Sequence, residues 1–278
     1  MELNKELENR LHNLSYDARI LCMKAFHKSG QRGHYGGSFS AAEVLTVLYQ
    51  SILQIDPKNP SWELRDHFVL SKGHIAAMFS TVLALRGFYD KEYVYNYDEL
   101  DSSFGWHTTK KIKGCEFAAG SLGHGLGFGI GLALTKRLSK IKSRVFVFLG
   151  DGELNEGSIW EAAMSAGHYN LDNLIAIVDR NNLQISGGTE DVMKLGPLEK
   201  KWESFGWSVK TIDGHNIRDI YNTFNAIPFV KSKPTCVIAN TIKGKGLPVL
   251  ENKNTSHILK LDDEMYKEGL DILESCKK

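Results

Sequence analysis

The sequence has few cysteines, no long apolar run and no pattern of a secreted protein. Its four cysteines, Cys22, Cys115, Cys236 and Cys276, lie far apart and form no Cys-x-x-Cys pair. A zinc site or a disulfide framework is therefore not expected, and reduced thiols are typical of a cytoplasmic protein. The N-terminal MELNKELENRLHNL lacks the apolar core of a signal peptide, and no segment reaches the ~18 apolar residues of a membrane span.

The chain also lacks an excess of charge of either sign. Its 34 basic and 33 acidic side chains give a net charge of +1 and are scattered along the sequence. Nothing in this balance favours nucleic acid or an anionic membrane surface as a partner. No repeat, low-complexity tract or linker divides the 278 residues, of which 42% are hydrophobic. We therefore expect one folded domain over residues 1–278.

Apolar periodicity predicts helices that alternate with buried strands. Leu3 to about Lys28 has helical spacing, and the glycine-rich QRGHYGGSFS after it predicts a turn. Ser40 with Glu43 three residues later predicts the N-cap of a second helix. The strand candidates are HFVLS, RVFVFLG, NLIAIVD, WSVKTID and PTCVIAN. This alternation predicts an α/β fold, a parallel sheet with helices on both faces.

Polar residues follow two of these strands. RVFVFL ends at Gly150-Asp151-Gly152, and NLIAIV ends at Asp179, just before Asn181. The carboxyl ends of parallel strands meet at one edge, where ligands collect. A carboxylate and an amide oxygen suit Mg²⁺ or Ca²⁺, and phosphate oxygens commonly fill the remaining positions of such a cation. The alternative is that Asp151 only caps a helix while the asparagines form a turn.

GDG followed by NN at this distance resembles the thiamine-diphosphate motif, and the rest of the chain extends the match. The segments that resemble transketolase motifs, in transketolase order, are Gly33–Ser40 (GHYGGSFS), Ser71–His74 (SKGH), Gly120–Gly125 (GSLGHG) and Thr241–Gly246 (TIKGKG). The DPKNP loop also fits. The resemblance covers nearly all of this chain but only the N-terminal, diphosphate-binding part of a full-length transketolase. It implies the thiamine-diphosphate-binding fold.

The resemblance also implies roles for individual residues. Metal ligands would be the side chains of Asp151 and Asn181 and the backbone carbonyl of Leu183. Cofactor-binding residues would be His34, His74, Gly120, Leu122, Gly152, Glu156, Asn181 and His257. Catalytic histidines would be His34, His107 and His257, since imidazole ordinarily titrates near neutral pH.

The resemblance implies a specific role for three of these residues and leaves the role of two lysines open. Leu122 would pack under the thiazolium ring, Gly152 would offer its N–H to the diphosphate, and Glu156 would lie where two cofactor sites meet. Lys243 and Lys245 fit a solvated loop as well as a place near the substrate. The remaining histidines are interpreted as structural: His12, His27, His67, His168 and His215.

The implied activity is transfer of a two-carbon ketol unit from a ketose, or ketose phosphate, to an aldose. The implied assembly is a split transketolase, in which a second subunit carries the pyrimidine-binding and C-terminal domains in an α2β2 heterotetramer. One alternative is the α subunit of a 2-oxo acid dehydrogenase, in which SKGH and TIKGKG are not expected. Another is a non-enzymatic protein that binds a metal-diphosphate ligand as a regulator.

The sequence departs from the transketolase pattern at positions close to the cofactor and sugar. Tyr35 stands where the family usually has Pro, and His124 stands where it usually has Gln. The segment His107-Thr108-Thr109 replaces the usual His-Pro-Glu. These departures leave the donor sugar open, although they do not affect the expectation of cofactor binding.

Overall fold

A parallel sheet lies at the centre of the computed structural model, which describes residues 3–278. The strands are β1 (His67–Leu70), β2 (Val145–Gly150), β3 (Leu174–Arg180), β4 (Leu183–Gln184), β5 (Gly187–Gly188), β6 (Ser208–Asp213) and β7 (Thr235–Asn240). Five of them form the sheet in the order β1-β2-β3-β7-β6, and every neighbouring pair is parallel. The other two, β4 and β5, form a short antiparallel hairpin.

Helices connect the strands and cover both faces of the sheet. The α-helices are α1 (Lys5–Ser29), α2 (Tyr35–Ser40), α3 (Ala42–Val47), α4 (Ala76–Arg86), α5 (Gly125–Leu138), α6 (Gly157–His168), α7 (Thr189–Val192), α8 (Leu198–Ser204), α9 (Ile217–Asn225) and α10 (Asp263–Ser275). A π-helical turn continues α3 over Leu48–Ile52, and 3₁₀ segments cover Gly73–Ile75, Lys91–Asn96, Gly152–Asn155 and Asn254–His257. Within residues 3–278, no helix combines the length and the apolar character needed to span a membrane.

The central strands are buried on both sides because their side chains alternate between two apolar cores. In β2, Phe146 and Phe148 pack into the core formed with α1 to α4 and α9. Val145, Val147 and Leu149 point the other way, into the core formed with α5, α6 and α8. Period-2 alternation with no exposed face is the pattern of a parallel sheet between two helical layers. The predicted α/β fold is confirmed.

The glycine-rich segment before α3 differs from the prediction. It was expected to be a turn that ends at an N-cap on Ser40, but Tyr35–Ser40 is helical. A Cβ on Gly36 would lie 2.5 Å from Ser256 Oγ, and one on Gly37 would lie 3.1 Å from His74 Nε2. These glycines therefore permit close packing of the helix against its neighbours rather than a turn.

The polar motifs meet at one edge of the sheet, as predicted. Ser71 follows β1, Asp151 follows β2, Asn181 follows β3 and Thr241 follows β7. The register pairs Gly150 with Asp179, so that β2 and β3 end within one residue of each other. All four strands therefore present the residues that follow them on the same side of the molecule.

A buried polar network holds the chain that follows β7. Arg19 Nη2 donates to Glu43 Oε2 at 2.6 Å, and His215 Nδ1 donates to the same oxygen at 2.9 Å. The Ile242 N–H in turn donates to His215 Nε2 at 2.8 Å. The ring of His215 thus links α3 to the TIKGKG segment, and it does not line the site described below.

This network predicts how stability depends on pH. Burial alone would raise the pKa of Glu43, but Arg19 and His215 outweigh burial and hold that pKa at about 2. Because the folded-state pKa is below the ordinary value, the ionised carboxylate stabilises the fold above pH ~4.5. That contribution is lost as pH falls from ~4.5 towards ~2. We expect Glu43→Gln to lower the free energy of unfolding by roughly 3 kcal/mol at pH 7, with a difference that narrows in acid.

Urea titrations of the two proteins at a series of pH values measure this difference directly. A gap that stays constant from neutral pH down to pH ~2.5 would contradict the assignment of Glu43 as an ionised, stabilising group.

Candidate active site

A cavity of about 450 Å³ opens at the carboxyl edge of the sheet. This volume is within the range of small-molecule and cofactor sites. Its walls come from the motif segments and from the β4-β5 hairpin. The lining residues are His34, Gly37, Lys72, His74, His107, Gly120, Leu122, Gly150, Asp151, Gly152, Glu153, Asn181, Leu183, Gln184, Ile185, Ser186, Lys243, His257 and Ile258.

The structure brings almost all of the candidate residues into this one cavity. The candidates that line it are His34, His74, His107, Gly120, Leu122, Asp151, Gly152, Asn181, Leu183 and His257. Glu156 is the exception, since it is exposed at the N-terminus of α6 and does not line the cavity. It lies beside Gly123, where an added Cβ would be 2.7 Å from that of Glu156.

Asp151, Asn181 and Leu183, the three residues with candidate cation-binding oxygens, all line the wall of the cavity. Asp151 Oδ1 accepts from Gly152 N at 2.8 Å, which caps the 3₁₀ segment Gly152–Asn155 and not α6, whose N-cap is Glu156. Its Oδ2 accepts from Asn182 N at 2.6 Å and from Arg180 Nη1 at 3.3 Å. The carboxylate is therefore both a cap and a fixed oxygen donor across the gap between β2 and β3.

The oxygens of Asn181 and Leu183 also accept hydrogen bonds already. Asn181 Oδ1 accepts from Leu183 N at 3.2 Å, and the carbonyl of Leu183 accepts from Lys243 Nζ at 3.4 Å. Within residues 3–278, no group of three or more His, Cys, Asp or Glu is arranged to hold a metal ion. A cation at this wall would therefore bind few protein oxygens and complete its shell with oxygens of a ligand.

The ionisation of Asp151 depends on its neighbours. Burial and the charge of Asp179 raise the pKa of Asp151 to about 6, against the opposing effect of Arg180. A divalent cation beside the carboxylate would favour its ionised form, because an opposite charge lowers the pKa of an acid.

Four histidines that line the cavity form a cluster. The ring centroid of His34 lies 5.4 Å from those of His74 and His257 and 6.3 Å from that of His107. Trp106 places its ring at a near-right angle to His34, with centroids 5.2 Å apart. Nδ1 of His34 is buried and has no hydrogen-bond partner among the described residues. An unpaired buried nitrogen is costly, so this atom is available to a ligand.

The protonation of these rings differs from the sequence-based expectation of titration near neutral pH. Burial, followed by the neighbouring basic groups His257, His107, Lys243 and Lys72, lowers the pKa of His34 to about 3. Burial, Lys243 and Lys72 likewise lower the pKa of His257 to about 4, and burial lowers the pKa of His74. These three rings are neutral at pH 7. A bound anion would raise their pKa values, because it stabilises the protonated form.

The two lysines left open by the sequence have different positions. Lys243 is buried, lines the cavity, and has its Nζ 3.3 Å from His257 Nδ1. Burial and Lys72 lower the pKa of Lys243 to about 8. Lys245 instead pairs with Glu251 at 3.3 Å and does not line the cavity.

Glu153 was not identified from the sequence, although it is a buried wall residue. Its Oε1 accepts from Ser71 Oγ at 2.5 Å and from Gly123 N at 2.9 Å, and its Oε2 accepts from Gly150 N at 3.0 Å. It therefore joins the SKGH, GSLGHG and GDG segments. An acidic residue just after GDG looks like an ordinary first-turn acid, and no local pattern reveals partners that lie 30 and 82 residues away.

Comparison with protein families gives the identity of this arrangement. Residues 12–270 match the family model described as transketolase, thiamine diphosphate binding domain. The chain belongs to the transketolase family. The part of a transketolase that it matches is the domain that binds the cofactor, and this agrees with the motif order along the sequence.

Similar proteins include transketolase subunits that have about the same length as this chain. The 6-deoxy-6-sulfo-D-fructose transketolase subunit SqwG of Clostridium sp. (strain MSTE9) is 39% identical over 265 residues, which cover 94% of this chain and 96% of that protein. An apulose-4-phosphate transketolase subunit of Phocaeicola vulgatus is 41% identical, with 88% of each chain covered.

Solved transketolase structures have the same fold over a part of their length. The transketolase of Campylobacter jejuni superposes with a TM-score of 0.89 at 30% identity over 99% of this chain. The match spans only 43% of the Campylobacter jejuni chain. Together with the family model, these relatives support the transketolase interpretation over that of a 2-oxo acid dehydrogenase.

The residues of this transketolase-family cavity fit thiamine diphosphate and a divalent cation. Gly152 lies in the GDG turn and lines the cavity, and a backbone N–H that carries no side chain beside it can approach an anion closely. Lys243 brings positive charge and Asp151 brings oxygen donors to the same space. The unpaired His34 Nδ1 is one further polar atom that a ligand could satisfy.

Proposed function

We propose that this chain is the diphosphate-binding subunit of a two-chain transketolase, which transfers a two-carbon ketol unit from a ketose or ketose phosphate to an aldose. The observation that carries the proposal is the cavity that gathers the oxygens of Asp151 and Asn181 together with a cluster of histidines, of which His34, His74 and His257 are neutral at pH 7. The relatives named as transketolase subunits support it, because they match this chain over most of their own length.

The residues that line the cavity determine which functions we assign to the cofactor and which to the chain. Thiamine diphosphate, when bound, supplies the electron sink for cleavage and formation of the carbon–carbon bond. The chain supplies binding, orientation and exclusion of water. Asp151, Asn181 and the carbonyl of Leu183 would hold Mg²⁺ or Ca²⁺, Gly152 would donate its N–H to the diphosphate, and Leu122 would support the thiazolium ring.

The histidines would hold and move protons at the sugar. Because His34 and His257 are neutral at pH 7, their ring nitrogens can accept a proton from a hydroxyl group and return it. His107 is exposed at the cavity wall, which suits contact with an incoming substrate. His74 lies next to His34 and His257, which suits a role in holding the cofactor.

The remaining parts of the site are assigned to a partner subunit. In this proposal the chain is one diphosphate-binding domain, and the partner supplies the pyrimidine-binding and C-terminal domains, the glutamate that activates the aminopyrimidine and most contacts to the sugar phosphate. Glu156, which is exposed beside the cavity wall, would lie where two cofactor sites approach each other in an α2β2 heterotetramer. The complex would act in the cytoplasm.

Substitution of the clustered histidines tests the proposed chemistry. We expect His34→Ala and His74→Ala to reduce ketol transfer in the assembled enzyme by on the order of 10²–10⁴, because the first removes a group that moves a proton and the second removes a ring that helps to hold the cofactor. His107→Ala and His257→Ala should mainly change the use of donor sugars. Steady-state rates with several ketose phosphates distinguish the two outcomes.

His168→Ala is a suitable control, since His168 is an exposed ring at the end of α6 that does not line the cavity. This variant should retain the parent rate. Near-normal turnover in both His34→Ala and His74→Ala would return these residues to a structural role and remove the basis for the proposed proton transfers.

A further inference from the structure

Asp179 is a fully buried carboxylate that binds four segments of the site. The ammonium group of Lys72 and the hydroxyl group of Thr241 both donate to it at short range. Ser40 Oγ donates to Asp179 Oδ2 at 2.6 Å, and Asn181 Nδ2 approaches the same oxygen at 3.4 Å. Asp179 itself is 0% exposed and does not line the cavity, so it acts only through these neighbours.

Each neighbour belongs to a different motif. Ser40 ends the helix that begins directly after His34, and Lys72 comes two residues before His74. Thr241 precedes the buried Lys243 by two residues. One side chain at the end of β3 therefore ties the segments of Ser40, Lys72 and Thr241 to the end of its own strand.

The ion pair with Lys72 controls where a positive charge lies. Lys72 is buried and lines the cavity, with its Nζ also 3.4 Å from the carbonyl of Gly37. An ammonium group in such a place needs a compensating charge, which Asp179 provides. Without the carboxylate, the ammonium group would be free to turn towards an anionic ligand in the cavity and take the place of a metal cation there.

The contact with Asn181 controls which atom of the amide is presented to a cation. The nitrogen of this amide points to Asp179, and its oxygen is on the other side, where it accepts from Leu183 N at 3.2 Å. Only the oxygen can bind a divalent cation. A carboxylate that accepts from the amide nitrogen opposes a flip that would present the NH₂ group instead.

We propose that Asp179 is a positioning residue for the cation and diphosphate site, which it serves by neutralising Lys72 and by orienting the amide of Asn181. This inference rests on the proposed function, since it concerns the same site. Ligand-orienting groups of this kind typically change metal affinity by about 10–100-fold when they are replaced.

Calorimetric titration of the full chain with thiamine diphosphate, in Mg²⁺ and in EDTA, tests the proposal. For Asp179→Asn we expect binding in Mg²⁺ to weaken by about 10–100-fold. Binding in EDTA should weaken less or improve, because Lys72 is released towards the diphosphate. The dissociation constant in EDTA divided by that in Mg²⁺ should therefore fall. A purely structural role would not change this ratio in the folded protein.

A double variant keeps the test decisive if Asp179→Asn does not fold. Lys72→Met/Asp179→Asn removes both charges, which is often neutral for stability when a buried ion pair is replaced. Asn181 then still lacks its carboxylate partner, so weakened Mg²⁺-dependent binding is again expected, with no gain in EDTA. Wild-type ratios in either folded variant would overturn the proposal.

Glu116→Gln is the matched control. Glu116 also pairs with a basic group, Arg65 at 2.6 Å, but does not line the cavity. It should change the thermal unfolding temperature without changing cation dependence. If wild-type protein shows no Mg²⁺-dependent binding, the proposed function fails; if it does and Asp179→Asn behaves in the same way, only the role of Asp179 fails.

Discussion

Removal of either side-chain oxygen ligand should abolish cation-dependent binding of thiamine diphosphate. For Asp151→Ala and Asn181→Ala we expect a loss of affinity greater than about 100-fold, because even residues that only orient a metal ligand change affinity by about 10–100-fold. Asp151 and Asn181 follow neighbouring strands whose register pairs Gly150 with Asp179, so both residues are held at the same edge of the sheet. Calorimetry with cofactor and Mg²⁺ measures the loss.

The hydrogen bonds of the Asp151 carboxylate determine which substitution tests its role as a cation ligand. Because its carboxylate also accepts from Gly152 N, Asn182 N and Arg180, the alanine variant loses local hydrogen bonds as well as a cation ligand. Asp151→Asn keeps the shape and one acceptor oxygen but removes the charge. It should therefore stay closer to wild-type thermal stability and still lose most of the Mg²⁺ dependence.

Glu190→Gln is the control that distinguishes loss of a cation ligand from disturbance of the local ion pairs. Glu190 Oε1 accepts from Arg180 Nη2 at 2.5 Å, so this variant disturbs the same arginine without removing an oxygen from the cavity. It should bind cofactor normally. Wild-type affinity in both Asp151→Asn and Asn181→Ala would exclude these residues as ligands and would favour the interpretation of Asp151 as a helix cap alone.

The sheet and its functional edge could be predicted from the sequence because their signals are local. Continuous apolar runs such as Val145–Leu149 mark strands buried on both faces, and the parallel arrangement then places Asp151 and Asn181 at the same edge. The prediction of a turn before α3 was wrong, because glycine occurs in closely packed helices as well as in turns. Gly36 and Gly37 suggest a turn by composition, but their role in the fold is close packing against Ser256 and His74, which come from distant parts of the sequence.

The buried carboxylates could not be predicted, because their significance depends on distant partners. Glu153 accepts a hydrogen bond from Ser71, and Asp179 accepts one from the adjacent Lys72. Both acids lie far from these partners in the sequence. The lowered pKa values of the histidines could not be predicted either, because they also depend on residues that are distant in the sequence. Burial and converging positive charge lower the pKa of His34, and neither can be read from the motif GHYGG.

Assembly with a partner subunit should be required for activity. We expect the purified chain to bind cofactor and Mg²⁺ but to show negligible ketol transfer, and a subunit that carries the pyrimidine-binding domain to restore turnover. Exposed apolar side chains in the β4-β5 hairpin and shortly after it support a docking face there. Ile185 lines the cavity and is 70% exposed, and Met193, shortly after the β4-β5 hairpin, is 62% exposed. Apolar side chains of this kind are typical of interfaces that become buried.

Light scattering and activity measurements on the mixed subunits test this assembly together. The mass should rise from that of the 31.2 kDa chain to that of two copies with two partners, and activity should rise with it. Met193→Glu should weaken the complex, because a charge would be buried at the docking face. Leu138→Glu is the control, since Leu138 is 81% exposed at the end of α5, far along the helix from the cavity edge. Full turnover by the chain alone, in the absence of any other transketolase, would refute the two-chain proposal.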